Sequence, residues 1–283
     1  MSTAGVALAE PSGALRFSHQ AMNTVFEIVC THPDAAYARQ AAWAAFDVAG
    51  HLEQELSRFI ENSDISRINS LAAGQSVRVN RWTMECLELA RLAWAETAGA
   101  FDISLGSGLD RLSLDSLRLV VRANAAGVRL DLGGIGKGYA VDRMAELLAE
   151  WGVERAVIHG GFSSVLALDA PLGCEGWPLT MSARDGAVIQ AKRRAFSASG
   201  TQKGDHIVDP RTGQPARCRR AAWASAPVSA LTDFCRKART GDSPAAVVEA
   251  FSTAFLILDA SEIQDCCRRH PGLESWTLAY DEN

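Results

Sequence analysis

The sequence lacks the paired cysteines of a disulfide framework or a zinc site. Its seven cysteines include no CxxC pair, and two of them, Cys266 and Cys267, are adjacent, which makes a bridge between them unfavourable. The number of cysteines is odd, and no cluster of Cys or His has the spacing of zinc ligands. The pattern therefore argues against a secreted, disulfide-framed domain and fits a reducing compartment.

Two further absences exclude broad classes of function. The chain has 28 Lys and Arg against 33 Asp and Glu, so it lacks the basic surplus that is usual in nucleic-acid-binding proteins. It also lacks an apolar run of the ~18 residues that are needed to span a membrane. Its first residues lack the basic and apolar regions of a signal peptide. We therefore expect a cytoplasmic protein without nucleic-acid or membrane partners, in which residues 1–15 form a flexible tail.

The remaining composition is that of an ordinary globular domain. Hydrophobic residues make up 48% and charged residues 22% of the 283 positions, which allows a sizeable core. Helical and strand-like patterns interleave without strict alternation, which predicts an α+β (mixed α/β) fold with residues 16–283 as one domain. Helices are predicted from Asp34 to about Phe59, from an Asn80 cap to Thr97, and over 139–151 and 244–255; strands are predicted over 23–30, 128–132 and 155–159.

The most distinctive segment is LDLGGIGKGYAVD at 130–142, which places three glycines beside Asp131 and Lys137 before a predicted helix. Glycine lets backbone N–H groups approach a phosphate closely, a helix N-terminus attracts anions, and the lysine adds a positive charge. The segment contains neither GxGxxG nor the GK[ST] of a Walker loop. From these residues alone, a diphosphate-binding loop and an ordinary glycine-rich turn both remain open.

A second polar loop, TQKGDHIVDPRTG at 201–213, contains His206 three residues before Asp209. Of the six histidines, it alone lies in a dense polar loop punctuated by glycine, and a histidine can move protons near neutral pH. An ordinary surface or core histidine is the alternative. Just upstream, the small residues FSASG at 196–200 can present N–H groups or a hydroxyl to a ligand.

Taken together and in order, these segments resemble the ApbE family of FAD:protein FMN transferases. The resemblance covers about residues 16–260 and includes AMNTVF (21–26), LSRFIENSDISRIN (56–69), GAFDIS (99–104), LDLGGIGKGYAVD (130–142), HGGFSS (159–164), SASG (197–200), HIVDPRTG (206–213) and EAFSTAFLIL (249–258). It implies a single T-fold-like domain with β-sheets packed by helices. It also implies transfer of FMN from FAD to a Thr or Ser hydroxyl of a target protein, with release of AMP and with Mg²⁺ on the diphosphate.

The resemblance also implies roles for individual residues. The metal ligands would be the Gly134 carbonyl, Glu249 and the Thr253 hydroxyl, with Ser252 beside them. Glu249 and Thr253 are four residues apart, so they share one face of a helix. Glu249 and His206 would be the catalytic residues, with His206 as a base for the target hydroxyl. The residues that contact FAD would be Met22, Phe59, Ala100, Phe101, Asp102, Asp131, Lys137, Ser199 and His206.

The sequence departs from the family pattern near the implied metal ligands. The motif begins with Glu249 where an Asp is usual, and the preceding segment 229–244 has the character of an insertion. Asp233 in that segment is an alternative ligand, although Lys237, not Thr, follows it four residues later. Asn23 stands where most members have Gly. Two alternative functions therefore stay open: an FAD-binding carrier or sensor that has lost transfer, and an FAD pyrophosphate hydrolase.

Overall fold

The computed structural model describes residues 6–8, 11, 13–161, 163–181, 188–200, 208–215 and 219–279. Its helices are α1 (Ala35–Leu56), α2 (Asp64–Asn69), α3 (Arg81–Glu96), α4 (Gly136–Glu150), α5 (Val228–Lys237), α6 (Pro244–Phe255) and α7 (Ala260–Arg269), with one 3-10 turn at Leu109–Arg111. Its strands are β1 (Val6–Leu8), β2 (Leu15–Ala21), β3 (Thr24–Cys30), β4 (Ser76–Arg78), β5 (Leu112–Asp115), β6 (Val120–Ala123), β7 (Ala156–Gly160), β8 (Ser164–Ala167), β9 (Trp177–Met181), β10 (Val188–Ala191), β11 (Arg194–Gly200), β12 (Val208–Asp209), β13 (Gln214–Pro215), β14 (Ala221–Pro227) and β15 (Glu274–Leu278). None of these helices is both long and apolar enough to cross a membrane.

A seven-stranded sheet in the order β15-β14-β11-β8-β7-β3-β2 forms the centre of the fold, and all of its neighbouring strands are antiparallel. Helices α1, α4 and α6 pack on one face, which we call the helix side. Successive side chains of a strand point to opposite faces, so Ile158 joins the core of the helix side while Val157 joins the other core. The predicted mixed α/β class, with sheets packed by helices, is confirmed.

The opposite face packs against a second sheet of order β1-β9-β10, and we call it the small-sheet side. Trp177 of β9 and Phe196 of β11 are fully buried there. Strand β1 pairs with β9, with Val6 opposite Met181, and Val6 is buried in the same core. The expectation of a flexible tail over residues 1–15 is therefore wrong for Val6–Leu8, because these residues contribute both backbone pairing and apolar contact.

Local signals explain where the main helices begin. Asn80 accepts a hydrogen bond from the backbone N of Trp82 at 2.9 Å and caps α3, as predicted. Asp34 caps α1 in the same way through the backbone N of Ala36, also at 2.9 Å. The helix predicted over 244–255 is confirmed as α6. These boundaries follow from sequence because each depends on contacts within one turn.

The strand predicted over 128–132 is wrong. Instead of joining a sheet, the segment is held by the side chain of Asn69, which donates to the carbonyl of Leu130 at 3.0 Å and accepts its N–H at 2.6 Å. The N–H of Asp131 donates to the carbonyl of Ile103 at 2.7 Å. A side-chain amide from a distant helix thus replaces a neighbouring strand, and a hydrophobic pattern does not reveal such a partner.

Two elements that flank α6 were not predicted. Helix α5 lies within the segment 229–244 and turns Phe234 onto Phe251 of α6, with ring centroids 5.8 Å apart. Helix α7 follows α6 and begins with a capping box formed by Asp259 and Glu262. Helix α6 also packs against α4, β11 and β14, so the helix that carries Glu249 lies within the core and not at its edge.

Candidate functional site

The glycine-rich segment meets α6 where α4 begins. Helix α4 starts at Gly136, inside the segment expected to be a turn. A side-chain carbon added at Gly138 would overlap the carbonyl of Ala245 in α6, so this position requires glycine. The two helix backbones touch here, and Glu249 lies one turn further along α6. We call the set Lys137, Gly138 and Glu249 the α4–α6 junction.

Glu249 is the buried centre of the α4–α6 junction, with 3% of its surface exposed. Its Oε2 accepts a hydrogen bond from the backbone N of Gly138 at 2.6 Å, and its Oε1 forms an ion pair with Lys137. The Lys137 ammonium also donates to the carbonyl of Gly133 at 3.2 Å. A buried carboxylate is stabilised by such partners, since it receives one positive charge and one N–H from the positive end of a helix.

A chain of hydroxyl groups extends from α6 to β11. Ser252 and Thr253 each donate to the Glu249 carbonyl at 3.0 Å. Ser199 lies 2.9 Å from the Ser252 hydroxyl and 3.3 Å from the Thr253 hydroxyl, and Ser252 lies 3.0 Å from Ser197. The structure therefore brings Ser199, which precedes Ser252 by 53 positions, beside the helix face that carries Glu249.

The backbone of Gly134 lies beside Phe101 and the Thr253 hydroxyl. A side-chain carbon at Gly134 would lie 3.2 Å from the Phe101 ring and 3.3 Å from Thr253 Oγ1, so this backbone lies directly against α6. Among the described residues, no three or more His, Cys, Asp or Glu side chains lie close enough together to hold a metal ion by themselves. A cation at this point would rely on one carboxylate, a hydroxyl and a carbonyl. That donor set fits magnesium, which uses few protein ligands beside substrate phosphates.

An open cleft of about 490 Å³ adjoins the α4–α6 junction. Its lining includes Met22, Phe59, Asp131 and Lys137, four of the residues that the resemblance implies for FAD. Met22 and Asn23 form the two-residue turn between β2 and β3, with φ of 51° and 55°. Both values lie in the left-handed region that a type I′ hairpin requires, and asparagine adopts that region more readily than most other residues with a side chain. The departure from glycine at position 23 is thus compatible with the turn.

Arg58 completes one wall of the cleft and was not singled out by the sequence analysis. Its Nε pairs with Asp131 Oδ2 at 2.9 Å, while Asp131 Oδ1 accepts the N–H of Gly133 at 2.9 Å. The Arg58 guanidinium also lies 4.5 Å from the ring centroid of Phe59, whose surface is 82% exposed. The available signal was its position next to Phe59 in the segment LSRFIEN.

The resemblance implies FAD contacts for three neighbouring residues, Ala100, Phe101 and Asp102. The cleft's lining does not include them, and Ala100 and Phe101 are each 2% exposed. The Asp102 carboxylate accepts the backbone N–H groups of Ser104 at 2.7 Å and Gly106 at 3.0 Å, so it orders its own loop. In this structure the three residues support the site through Phe101, which packs on Gly134.

The two remaining candidates from the sequence are His206 and Asp233. His206 lies outside the described residues. Asp233 lies on α5 with 80% of its side chain exposed, and it pairs with Arg236 at 2.7 Å. The contacts of Glu249 at the α4–α6 junction therefore favour Glu249 over Asp233 as the acidic residue of the site.

The fold and the layout of the site define an α/β protein with a buried charged junction beside an open cleft, and the sequence places it in one family. Residues 22–113 and 107–276 match the ApbE family. These matches span most of the chain, so the chain belongs to the ApbE family. The resemblance noted from the motifs is confirmed.

Two bacterial relatives show how distant the similarity is. The FAD:protein FMN transferase of Treponema pallidum (strain Nichols) is 25% identical in an alignment that covers 88% of this chain and 79% of that protein. The FAD:protein FMN transferase of Buchnera aphidicola subsp. Schizaphis graminum is 21% identical in an alignment that covers 58% of this chain and 61% of that protein. The second alignment therefore spans less than two thirds of the relative.

Solved structures share the fold over nearly the whole chain. The flavin transferase ApbE from Vibrio cholerae has a TM-score of 0.76 at 17% identity and covers 95% of this chain and 98% of that chain. The ApbE protein from Thermotoga maritima has a TM-score of 0.76 at 21% identity and covers 93% and 94%. At such identities the likeness establishes the fold.

Proposed function

We propose that the protein transfers FMN from FAD to a Thr or Ser hydroxyl of a target protein and releases AMP. The observation that carries the proposal is the position of the α4–α6 junction next to an open cleft lined by Met22, Phe59 and Asp131. A diphosphate needs positive groups and N–H donors, and a planar ring system needs a partly apolar surface. Relatives named FAD:protein FMN transferase support the same reaction.

The proposed transfer forms one phosphorus–oxygen bond and breaks another. The target hydroxyl attacks the phosphorus of the FMN half, and the bond to the bridging oxygen breaks, so AMP leaves with that oxygen. The hydroxyl proton passes to a base, which we assign to His206 on the family resemblance. Lys137 would stabilise the negative charge that develops on the diphosphate, since phosphoryl transfer depends mainly on positioning and charge neutralisation.

We further propose that Mg²⁺ assists this reaction. The Gly134 carbonyl, Glu249 and Thr253 would hold it, and the bound ion would neutralise charge on the diphosphate oxygens. Ser199 would contact the nucleotide from β11, because its hydroxyl lies 3.3 Å from that of Thr253. We place both the enzyme and its target protein in the cytoplasm, on the composition of the chain.

Binding of FAD without transfer is a second candidate, and one observation favours it. Both carboxylate oxygens of Glu249 already have partners, Lys137 and the N–H of Gly138. A metal ion would have to share or displace one of them. In that case FAD would bind, and neither AMP nor a labelled protein would form.

A labelling assay tests the proposal. Purified protein is mixed with FAD, MgCl₂ and a flavin-acceptor domain with a single acceptor Thr, and AMP and the fluorescence of denatured acceptor are measured. Transfer predicts equal amounts of AMP and labelled acceptor, and no label on an acceptor whose threonine is changed to valine. FMN and AMP without labelled protein would show FAD hydrolysis instead. Tight FAD binding without AMP would show the non-transferring alternative.

A further inference from the structure

Helix α6 does not cap its own N-terminus. The N-cap residue Ser243 makes no capping hydrogen bond with its side chain, and Pro244 at the first helical position has no N–H. The next two N–H groups, of Ala245 and Ala246, are donated instead to Asp142 of α4. The distances are 2.9 Å to Oδ1 and 2.8 Å to Oδ2. A residue of one helix thus caps another.

This cap and the α4–α6 junction lie on the same helix faces. Asp142 follows Gly138 by four residues in α4, and Glu249 follows Ala245 by four residues in α6. One helical turn therefore separates the two contacts on each helix. Between them, the backbone of Gly138 lies directly on the carbonyl of Ala245. The two helices are tied at two points one turn apart, which fixes both their separation and their relative rotation.

We infer that Asp142 is a positioning residue, which sets where Glu249 and Thr253 lie relative to Lys137 and Gly134. The inference rests on the proposed function, because it concerns the proposed metal ligands. Asp142 is 1% exposed, and so it reaches neither cleft nor ligand directly. Both of its oxygens are in use, so a carboxylate suits the position better than an amide, whose NH₂ group would face one of the two N–H donors. Burial raises the pKa of Asp142, while Arg143 and the two N–H groups act in the opposite direction and favour the carboxylate.

The chain offers a matched control for a purely structural role. Asp259 also caps a helix, α7, where it accepts the N–H of Glu262 at 2.8 Å. Removing either aspartate deletes one helix cap, but Asp259 is exposed and caps a helix that carries none of the proposed ligands. A role in positioning predicts that only the loss of Asp142 changes ligand affinity.

The test compares Asp142→Ala, Asp142→Asn and Asp259→Ala in the full chain. Binding of Mn²⁺, as a probe for Mg²⁺, is measured by electron paramagnetic resonance without nucleotide, binding of FAD by flavin fluorescence, and opening of α6 by hydrogen exchange. We expect Asp142→Ala to weaken Mn²⁺ binding about 10-fold or more, as is usual for residues that orient metal ligands. Asp142→Asn should lie between it and the wild type, and the first turn of α6 should exchange faster in both variants.

The outcomes separate this inference from the proposed function. If Asp142→Ala folds and binds Mn²⁺ and FAD as tightly as Asp259→Ala does, the inference is overturned. If Asp142→Ala fails to fold, the comparison of Asp142→Asn with Asp259→Ala decides in the same way. If the wild type binds FAD but not Mn²⁺, the metal part of the proposed function fails. The inference then depends on FAD affinity, which must fall when Asp142 is changed, because Lys137 is held by Glu249.

Discussion

On the helix side of the central sheet, buried charges meet partners from other elements, whereas on the small-sheet side a buried ionisable group is kept neutral. Glu249 pairs with Lys137 and with the start of α4 next to an open cleft. His159 of β7 follows Val157 by two residues, so strand alternation places it on the small-sheet side, where it is 2% exposed. Burial, together with the positive charge of Arg16, lowers the pKa of His159 to about 4.

This difference in how buried ionisable groups are treated distinguishes the two sides of the sheet. The helix side can bind charged ligands, and the small-sheet side supports it structurally. Removal of the positive charge of the α4–α6 junction should alter ligand binding and activity more than stability. Changes on the small-sheet side should alter stability and its dependence on pH while ligand affinity stays constant. A change on the small-sheet side that weakened FAD binding without unfolding the protein would break this distinction.

Lys137→Gln should have the largest effect. It removes the positive charge at the α4–α6 junction, and we expect transfer to fall about 100-fold or more, as for other groups that stabilise developing charge. Lys237→Gln, which changes an exposed lysine at the end of α5, is the matched control. Rates of AMP release at saturating FAD measure the effect. Equal rates for the two variants would show that Lys137 has no role in the reaction.

Gly138→Ala should be the most destabilising single change at the α4–α6 junction. The new methyl group would overlap the Ala245 carbonyl, so the two helices must separate, at a cost of about 3 kcal/mol. Gly50→Ala in α1 is the control, because a side chain there has open space and alanine favours helix. Urea unfolding should show the first variant less stable than the wild type and the second as stable or more so. Full stability of Gly138→Ala would contradict the backbone contact.

His159→Gln should change how stability depends on pH. The folded protein takes up a proton at His159 only near pH 4, but the unfolded chain does so near its ordinary value of 6.5. Lowering the pH from 7 to 5 therefore favours unfolding, by about 2 kcal/mol from this residue alone. The variant should lose this part of the decrease in the free energy of unfolding, measured by urea at both pH values. His51→Gln, at an exposed position, should keep the wild-type slope, and FAD affinity at pH 7 should not change in either.

Phe59→Ala should have the smallest effect of the four. The ring lies at the mouth of the cleft and is mostly exposed, so its loss removes a contact surface for a planar ligand and little stability. We expect FAD to bind about 5-fold more weakly, in line with a single aromatic contact. Leu117→Ala removes another highly exposed apolar side chain away from the cleft and should leave FAD affinity unchanged. Fluorescence titration distinguishes the two.

Features that depend on neighbours in sequence were predictable. The Asn80 cap, the helix 244–255 and the strand over 23–30 each follow from a local pattern, and the structure has all three. The quoted motifs also placed the chain in its family, and four residues that the resemblance implied for FAD line one cleft. The glycines of the segment 130–142 correctly indicated the site. Gly138, however, is required by the close approach of helix α6 and not by the approach of a phosphate.

Features that depend on how helices cross were not predictable. Lys137 and Glu249 are 112 positions apart, and Asp142 and Ala245 are 103 apart. In each pair, the residues around one partner contain no pattern that identifies the other partner. The segment 128–132 has the composition of a strand, but its hydrogen bonds go to Asn69, 61 positions before Leu130. Arg58 was overlooked because an arginine beside an exposed Phe59 is, by pattern alone, an ordinary surface residue.

The glycine contact between α4 and α6 has a consequence for how the site tolerates change elsewhere. Where helices are spaced by side chains, each exchange in the core shifts their separation by some fraction of an ångström. At Gly138 the spacer is peptide backbone on both helices, and its thickness is the same whatever residues surround it. Substitutions in the nearby core should therefore change the distance from Lys137 to Glu249 very little. The surrounding sequence can vary while the two charges keep their relative positions.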